Sequence, residues 1–227
     1  MRLRRSFCSI QSRNMVDCDM ARLKAFDEDR ALDSAVDCFW ARGYEATSVR
    51  DLAEAMGIGG ASLYNAYGDK RELFIRSLER YANRSMRERI ARIEARFEPR
   101  PAIGAFLAEI IDRSARDADC KGCLLVNSAL EVAPHDAEIG RLVAAYLGEI
   151  RAFFKRSLLA ARQAGQVHKR LDVDAASAHL LGVVLGVRVL ARTGAKRKLL
   201  ESVAKPALAL LDGAAVPARR KSHIKTK

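Results

Sequence analysis

Glycine-bearing breaks divide residues 31–81 into short segments, and their spacing constrains the fold more than any other feature of the chain. The breaks are Gly43, Gly57-Ile58-Gly59 and Gly68-Asp69. Glycine ends helices readily because it lacks a Cβ atom and tolerates left-handed backbone. The spacing predicts four helices, over about residues 28–42, 49–56, 60–66 and 70–97.

Apolar residues of the first segment repeat at three- and four-residue intervals, which predicts one buried helix face. They are Leu32, Ala35, Val36, Phe39 and Trp40. In the next two segments we expect a second set to be buried, comprising Leu52, Ala53, Ile58 and Leu63. Two short helices joined by a tight glycine turn are typical of a helix-turn-helix, which inserts its second helix into the DNA major groove.

The remainder of the chain also predicts helices. Apolar residues make up 49% of the sequence and aromatic residues only 6%, and no run rich in β-branched residues alternates with period two. Further helices are expected to about Arg116 after Pro99 and Pro101, and over residues 124–133, 136–164, 174–192 and 196–211, with a polar loop at 117–122. The sequence therefore predicts an all-α protein.

The formal net charge of +12 lies mostly at the two ends of the chain. Residues 1–16 carry +4 and residues 218–227 carry +5, which leaves +3 for the middle. Basic tails bind nucleic acid phosphates without sequence preference, but they are also common as solvated chain ends. A nonspecific, architectural DNA binder driven by these tails is therefore one alternative function. We expect residues 1–22 to be a disordered or mis-assigned leader and residues 214–227 a basic disordered tail.

Cysteine usage and hydropathy bear on localisation. The five cysteines are an odd number without a disulfide framework, which favours a reducing cytoplasm. Two of them, Cys8 and Cys18, fall in the leader. The longest apolar run, Leu180–Ala191, contains Arg188 and is shorter than the roughly 18–20 residues that span a bilayer. We therefore expect a cytoplasmic protein that does not bind membranes.

No catalytic motif is evident. The sequence has no phosphate-binding glycine loop, nucleophile elbow or paired-carboxylate arrangement, so we predict no enzymatic activity and no cofactor. One C-x-x-C pair, with His135 as the nearest imidazole, provides too few ligands for a convincing zinc site. We predict no metal.

The segment Ser62-Leu63-Tyr64-x-x-Tyr67-x-x-Lys70, preceded by Thr47-Ser48-Val49-Arg50-Asp51-Leu52-Ala53, resembles the DNA-binding domain of the TetR family of bacterial repressors. The resemblance spans roughly residues 26–81. It implies a three-helix, helix-turn-helix DNA-binding domain over residues 23–81. It also implies a C-terminal helical ligand-binding and dimerisation domain over residues 82–213.

The resemblance also assigns DNA contacts. It implies that Tyr64, Lys70, Thr47 and Ser48 hold phosphates, that Arg50 reaches a base, and that the recognition surface lies near the start of the third helix. The predicted set comprises Thr47, Ser48, Arg50, Gly60, Ala61, Ser62, Tyr64, Asn65, Tyr67 and Lys70. Gly60 and Ala61 offer no side-chain hydrogen bonds. We therefore expect thin direct base readout, with operator specificity depending on dimer spacing and DNA shape.

Two late helices are candidates for the dimer interface. The run from Leu180 to Val187 is apolar on nearly all sides, and Gly182 and Gly186 permit close helix approach. A stripe on the preceding predicted helix comprises Tyr146, Ile150, Phe153 and Phe154. The alternative is that these residues belong to the core of a monomer. Candidate ligand-pocket residues, which could equally be core, are Phe106, Ile110, Asn127, Glu131, Tyr146, Phe153 and His179.

Cys120-Lys121-Gly122-Cys123 is a candidate thiol switch. A nearby cation and a helix N-terminus both stabilise a thiolate, and Cys123 precedes a predicted helix. Residues 122–131 also resemble the regulatory domain of a TetR subgroup in which some repressors respond to electrophiles or oxidants. The alternative is that both thiols are structural.

These patterns together predict a dimeric repressor that a small-molecule inducer releases from a palindromic operator in double-stranded DNA. A repressor switched by modification of Cys120 or Cys123 is the alternative within the same class. The identity of the inducer is not predicted.

Overall fold

A computed structural model of the chain describes residues 27–211, and this part is helical without strands. The helices are α1 Glu28–Arg42, α2 Val49–Met56, α3 Gly60–Tyr67, α4 Lys70–Ala82, a π-helical turn Asn83–Arg87, α5 Glu88–Arg96, α6 Pro99–Arg116, α7 Leu124–Glu131, α8 Ala137–Gln163, α9 Val173–Arg192 and α10 Arg197–Leu211. The predicted all-α class is confirmed. The predicted leader and the predicted tail, with Cys8 and Cys18, lie outside the described residues.

Helices α1 to α4 form the domain predicted to bind DNA, which we name the DNA-binding unit. Its core contains the fully buried side chains of Phe39, Leu52, Leu63 and Phe74. Ile58 and Ala53 are half-buried and pack against this core. Gly57 ends α2 in the left-handed conformation, with φ +67°, and so allows α3 to begin three residues later in a new direction.

The helix predicted over residues 70–97 contains a π-helical turn. Asn83–Arg87 joins α4 to α5 without ending the helix, and Ser85 and Met86 within it are buried. A π-turn accommodates one extra residue, which barely alters the apolar periodicity on which the prediction depended.

Helices α5 to α10 form the predicted regulatory domain, which we name the regulatory unit. In this bundle α8 packs along α9, α6 packs against both, and α10 packs against α9 and α6. Phe106, Phe153 and Phe154 pack with ring centroids 5.1–5.3 Å apart. The predicted dimer stripe on α8 is wrong, because Tyr146, Ile150, Phe153 and Phe154 are all buried within one chain.

Helix α9 is longer than the apolar run considered in the sequence. An 18-residue window of this 20-residue helix has a mean hydropathy of 1.6, which is enough by length and composition to cross a membrane. It lies in the bundle against α8, α10 and α6, and Arg188 in its last turns is buried. A core helix of a helical bundle has these same properties.

Candidate nucleic-acid interface and regulatory cleft

The recognition helix α3 presents a small, mostly uncharged surface. Gly60, Ala61 and Asn65 are exposed, Ser62 is half-buried, and 52% of Tyr64 is exposed. Leu63 is fully buried and anchors the opposite face. The predicted recognition residues therefore lie together on one surface, where Tyr64 is the largest exposed side chain.

Two predicted contact residues do not reach this surface. The Thr47 hydroxyl is buried and donates to the carbonyl oxygen of Gly43 at 2.6 Å, so the expected phosphate contact by this hydroxyl is wrong for this conformation. Tyr67 is also buried, and its hydroxyl lies 3.5 Å from the Glu28 carbonyl oxygen, which it faces as a donor. Both side chains hold α1 in place.

Ser48, at the start of α2, is exposed but already hydrogen-bonded. Its hydroxyl accepts from the backbone N–H of Asp51 at 3.1 Å, and the Asp51 carboxylate accepts from the backbone N–H of Ser48 at 2.9 Å, which forms a capping box. The Ser48 hydroxyl also donates to the Asp51 carboxylate at 2.5 Å. This bond, then the bond from the Ser48 N–H and then the Arg42 guanidinium 2.8 Å away, together hold the pKa of Asp51 at about 2. Arg50, in the first turn of α2, is exposed.

Lys70 is held in place by an aromatic ring that the sequence analysis missed. Its Nζ lies 4.3 Å from the centroid of the Tyr44 ring, which itself packs against Phe74 in a tilted arrangement with centroids 4.7 Å apart. Asp69 caps α4 by accepting from the Glu72 N–H at 2.8 Å. Lys70 therefore has a fixed position at the N-terminus of α4, where backbone N–H groups also favour an anion.

Polar contacts join the DNA-binding unit to the regulatory unit. The Glu131 carboxylate, on α7, accepts from the backbone N–H of Glu45 at 2.9 Å. Arg71, on α4, donates to Asp136 at 2.7 Å and to Glu138 at 2.6 Å, at the start of α8. These contacts link the helix that follows the recognition helix to the regulatory bundle.

The predicted pocket residues do not line a common cavity. Phe106, Ile110, Phe153 and Tyr146 are buried core residues, and Asn127 is half-buried and donates to the Lys121 carbonyl oxygen at 3.0 Å. Glu131 contacts the DNA-binding unit, and His179 is exposed on α9. The expectation of one pocket lined by these seven residues is wrong, because apolar periodicity does not distinguish core from cavity wall.

The structure has instead a cleft of about 350 Å³ between the two units. Trp40 from α1, Arg113 from α6, Lys121 from the following loop and Arg188 from α9 line it. The Arg113 guanidinium and Lys121 Nζ lie 5.4 Å and 5.3 Å from the Trp40 ring centroid. The sequence feature that indicates this cleft is Arg188, a charged residue inside an apolar helix.

The predicted thiol pair lies at the edge of this region. Cys120 and Cys123 are half-buried and unlinked, and Cys120 has a left-handed backbone with φ +51°. The Cys123 side chain lies near the hydroxyl of Tyr81, and burial, followed by the influence of this thiol, raises the pKa of that hydroxyl. Within residues 27–211 no three His, Cys, Asp or Glu side chains lie close enough together to hold a metal ion.

Two family models match the chain. The model described as bacterial regulatory proteins, tetR family, matches residues 31–76, which include α2, α3 and most of α1. The model described as tetracyclin repressor-like, C-terminal domain, matches residues 99–206, from the start of α6 into α10. The two matches correspond to the DNA-binding and regulatory units.

Similar proteins are known along most of the chain. The HTH-type transcriptional regulator YezE of Bacillus subtilis is 30% identical over 194 residues, which cover 85% of this chain and all of that protein. The HTH-type transcriptional repressor ComR of Escherichia coli is 31% identical over 83% of this chain and 90% of its own length. A cysteine-substituted mutant of the TetR family regulator CifR, solved with a 26-base-pair operator DNA, has a TM-score of 0.75 at 31% identity, covering 83% of this chain and 98% of that one.

Proposed function

Because the chain belongs to the TetR family and is therefore a DNA-binding transcriptional regulator, we propose that it is a repressor that an effector releases from a palindromic operator. Regulators of this family bind operator DNA as dimers. The observation that carries the proposal is the surface formed by α3 and Lys70. We place the protein in the bacterial cytoplasm, where its DNA is.

The side-chain positions support phosphate contacts by some residues of this surface and base contacts by others. Tyr64 and Lys70 hold phosphates, because the first is exposed and the second is fixed over Tyr44. Arg50 and Asn65 are exposed and have the planar donor groups that pair with guanine and adenine. Gly60 and Ala61 bring the helix backbone close to the bases, and Ser62 adds a hydroxyl. We exclude the Thr47 and Tyr67 side chains because both are buried.

The dimer face follows from the exposed small residues of α8 and α9. A Cβ atom added at Gly182, Gly186 or Gly148 would meet nothing within 4 Å in the chain, so each faces open space. Val189, one turn beyond Gly186, is 45% exposed. By contrast Leu180, Val183, Val184 and Val187 face the core. We propose that α8 and α9 pair with their copies through this small-residue face and set the spacing of the two recognition helices.

Effector control operates through the contacts between units. Arg71 and Glu131 connect the DNA-binding unit to α8 and α7. A ligand that favours a different relative position of the units changes the distance between the two α3 helices, which then no longer match the operator half-sites. Reversing a 99:1 preference requires about 5.5 kcal/mol of differential binding.

Thiol modification is a second candidate for the switch. Cys123 directly precedes α7 and lies near buried Tyr81 of α4. An adduct on Cys123 adds volume between the two units. Cys120, in left-handed backbone directly after the turn at residues 118–119, is a second target.

Operator selection from random duplex DNA, at physiological salt and with the full-length protein, tests the proposal. We expect an enriched palindrome whose binding is lost in the Tyr64→Ala variant. Adding a thiol oxidant distinguishes the two switches, since reversible loss of binding supports the thiol switch and indifference supports a ligand. The same selection is repeated with a truncated protein that lacks residues 1–19 and 218–227. If no sequence is enriched and this truncation abolishes binding, the specific repressor is wrong and the tail-driven binder is right.

A further inference from the structure

Two buried guanidinium groups lie near the cleft without adequate acidic partners. Arg188 is 4% exposed, and its Nη1 donates to the hydroxyl of Ser114 at 3.1 Å, a neutral partner. Arg89 is 8% exposed, and its Nε lies 3.3 Å from Glu109 but without the geometry of a hydrogen bond, so this N–H is buried without an acceptor. Glu109 is shared with Arg92, which donates to both of its oxygens.

Arg113 adds a third positive charge to this group. Burial lowers the pKa of Arg89 to about 10, and the neighbouring charges of Arg188 and Arg113 lower it in the same direction. With a pKa of about 10, the Arg89 guanidinium remains charged at neutral pH. Within the described part of the chain, neither Arg113 nor Arg188 forms an ion pair with a carboxylate.

The acidic residues of the cleft, Asp112 and Asp117, already have partners. Asp112 forms ion pairs with Arg116 at 3.0 Å and with Arg197 at 2.5 Å. Asp117 accepts from the backbone N–H of Gly122 at 3.0 Å. The cleft therefore has excess positive charge, and its aromatic wall, Trp40, has an indole N–H that is also buried without an acceptor.

A buried charge without a partner is costly, whereas the same charge paired with an oxyanion in good geometry is not. Guanidinium groups bind carboxylates and phosphates particularly well because their N–H groups match the spacing of two oxygens. We propose that the cleft between α1, α6 and α9 binds a small organic oxyanion, a carboxylate or a phosphate monoester, through Arg188 and Arg113, with its apolar part against Trp40. This inference rests on the proposed function, in which the regulatory unit binds an effector.

An anion bound at this site also affects DNA binding, because the site joins the two units. Trp40 belongs to α1 of the DNA-binding unit, whereas Arg113 and Arg188 belong to α6 and α9 of the regulatory unit. An anion that contacts all three favours one relative position of the two units. The oxyanion therefore acts as the effector class of this regulator.

The test measures thermal unfolding with benzoate, phenyl phosphate and the neutral analogue benzamide at millimolar concentration. A ligand that binds only the folded protein raises the unfolding midpoint. We expect one or both anions, but not benzamide, to raise the midpoint of the wild-type protein. The shift should disappear in Arg113→Gln, which changes an exposed side chain, and in Arg188→Met. It should persist in Arg141→Gln, which removes an exposed charge from α8.

Each outcome decides the question. Stabilisation by benzoate alone selects a carboxylate, and stabilisation by phenyl phosphate alone selects a phosphate. If neither anion stabilises the wild-type protein more than Arg113→Gln, the cleft is not an oxyanion site, even if Arg188→Met fails to fold. Operator binding by the same samples separates the two proposals, because loss of the anion effect with operator binding intact overturns only this inference.

Discussion

The carboxylate of Glu131, on α7, accepts a hydrogen bond from the backbone N–H of Glu45, 86 positions earlier in the chain, at 2.9 Å. The same carboxylate fills the space where a Cβ atom at Gly43 would lie, 2.8 Å from Glu131 Oε2. Gly43 also has φ +88°, which a glycine adopts without strain. One side chain of the regulatory unit thus packs against the turn between α1 and α2.

Glu131→Ala tests this contact. We expect a loss of about 0.5–1.5 kcal/mol in unfolding free energy, because the exposed backbone N–H of Glu45 exchanges a protein acceptor for water. Operator affinity should depend less on effector, since one link between the units is removed. Urea unfolding measures the first effect, and operator titrations with and without effector measure the second. Glu131→Gln keeps an acceptor oxygen, so its unfolding free energy should lie between those of the wild type and Glu131→Ala. An equal loss of unfolding free energy in both variants would mean that only the charge of Glu131 matters.

The pairing of Arg71 with Asp136 predicts a dependence of stability on pH. Hydrogen bonds from Arg71, and then from the backbone of Ile139, hold the pKa of Asp136 at about 2, below its ordinary value of 3.8. Because the folded-state pKa is the lower one, this stabilisation is fully present above pH 3.8 and is lost as the pH falls towards 2. We therefore expect Arg71→Gln to lower stability by a constant amount near neutral pH, and the difference from wild type to shrink in acid.

Acid-unfolding curves of the two proteins measure this difference. The matched control is Arg151→Gln, which removes an exposed arginine whose closest acidic contact, with Asp174, is 3.7 Å long. A gap between wild type and Arg71→Gln that stays unchanged down to pH 2 would show that the Arg71–Asp136 pair does not stabilise the fold.

The local parts of this structure were predictable, and the long-range parts were not. Helices α1 to α3 follow from apolar periodicity and glycine positions within a few residues. Thr47 and Tyr67 matched the motif but point inward, because the direction of a side chain depends on how the turns place each helix. The contacts of Glu131 and Arg188 join residues 86 and 74 positions apart, and no local pattern encodes such pairs.

Ser48 has two roles that variants can separate. Its hydroxyl caps α2, so Ser48→Ala should cost about 1 kcal/mol of unfolding free energy, whereas Ser48→Asn should retain most of the cap. If Ser48 also holds a phosphate, operator affinity should fall in Ser48→Ala beyond the effect of instability. Thermal unfolding measures the change in stability, and operator titration at a temperature well below the unfolding midpoint measures the change in affinity. Unchanged affinity in a folded Ser48→Ala protein would remove Ser48 from the contact set.

Asn65 and Lys70 should affect DNA binding differently. Asn65→Ala should relax the preference at one base pair of each half-site by about 1–3 kcal/mol, because only a base contact carries sequence information. Lys70→Gln should weaken binding to all sequences and reduce the salt dependence by about one phosphate contact per subunit. Selection from random DNA and salt titration measure these effects. If Asn65→Ala left the operator preference intact, Asn65 would be a solvated surface residue.

Gly182→Arg tests the proposed dimer face. A side chain at this position meets nothing within 4 Å in its own chain, and arginine has a higher helix propensity than glycine, so the folded subunit should be unaffected. Across a close helix pair, however, the added charge and volume exclude the partner. Sedimentation should therefore give a monomer with wild-type circular dichroism and without binding to the full palindrome. Ala108→Arg, on an exposed position of α6, should remain dimeric. A dimeric Gly182→Arg protein would move the interface away from this face of α9.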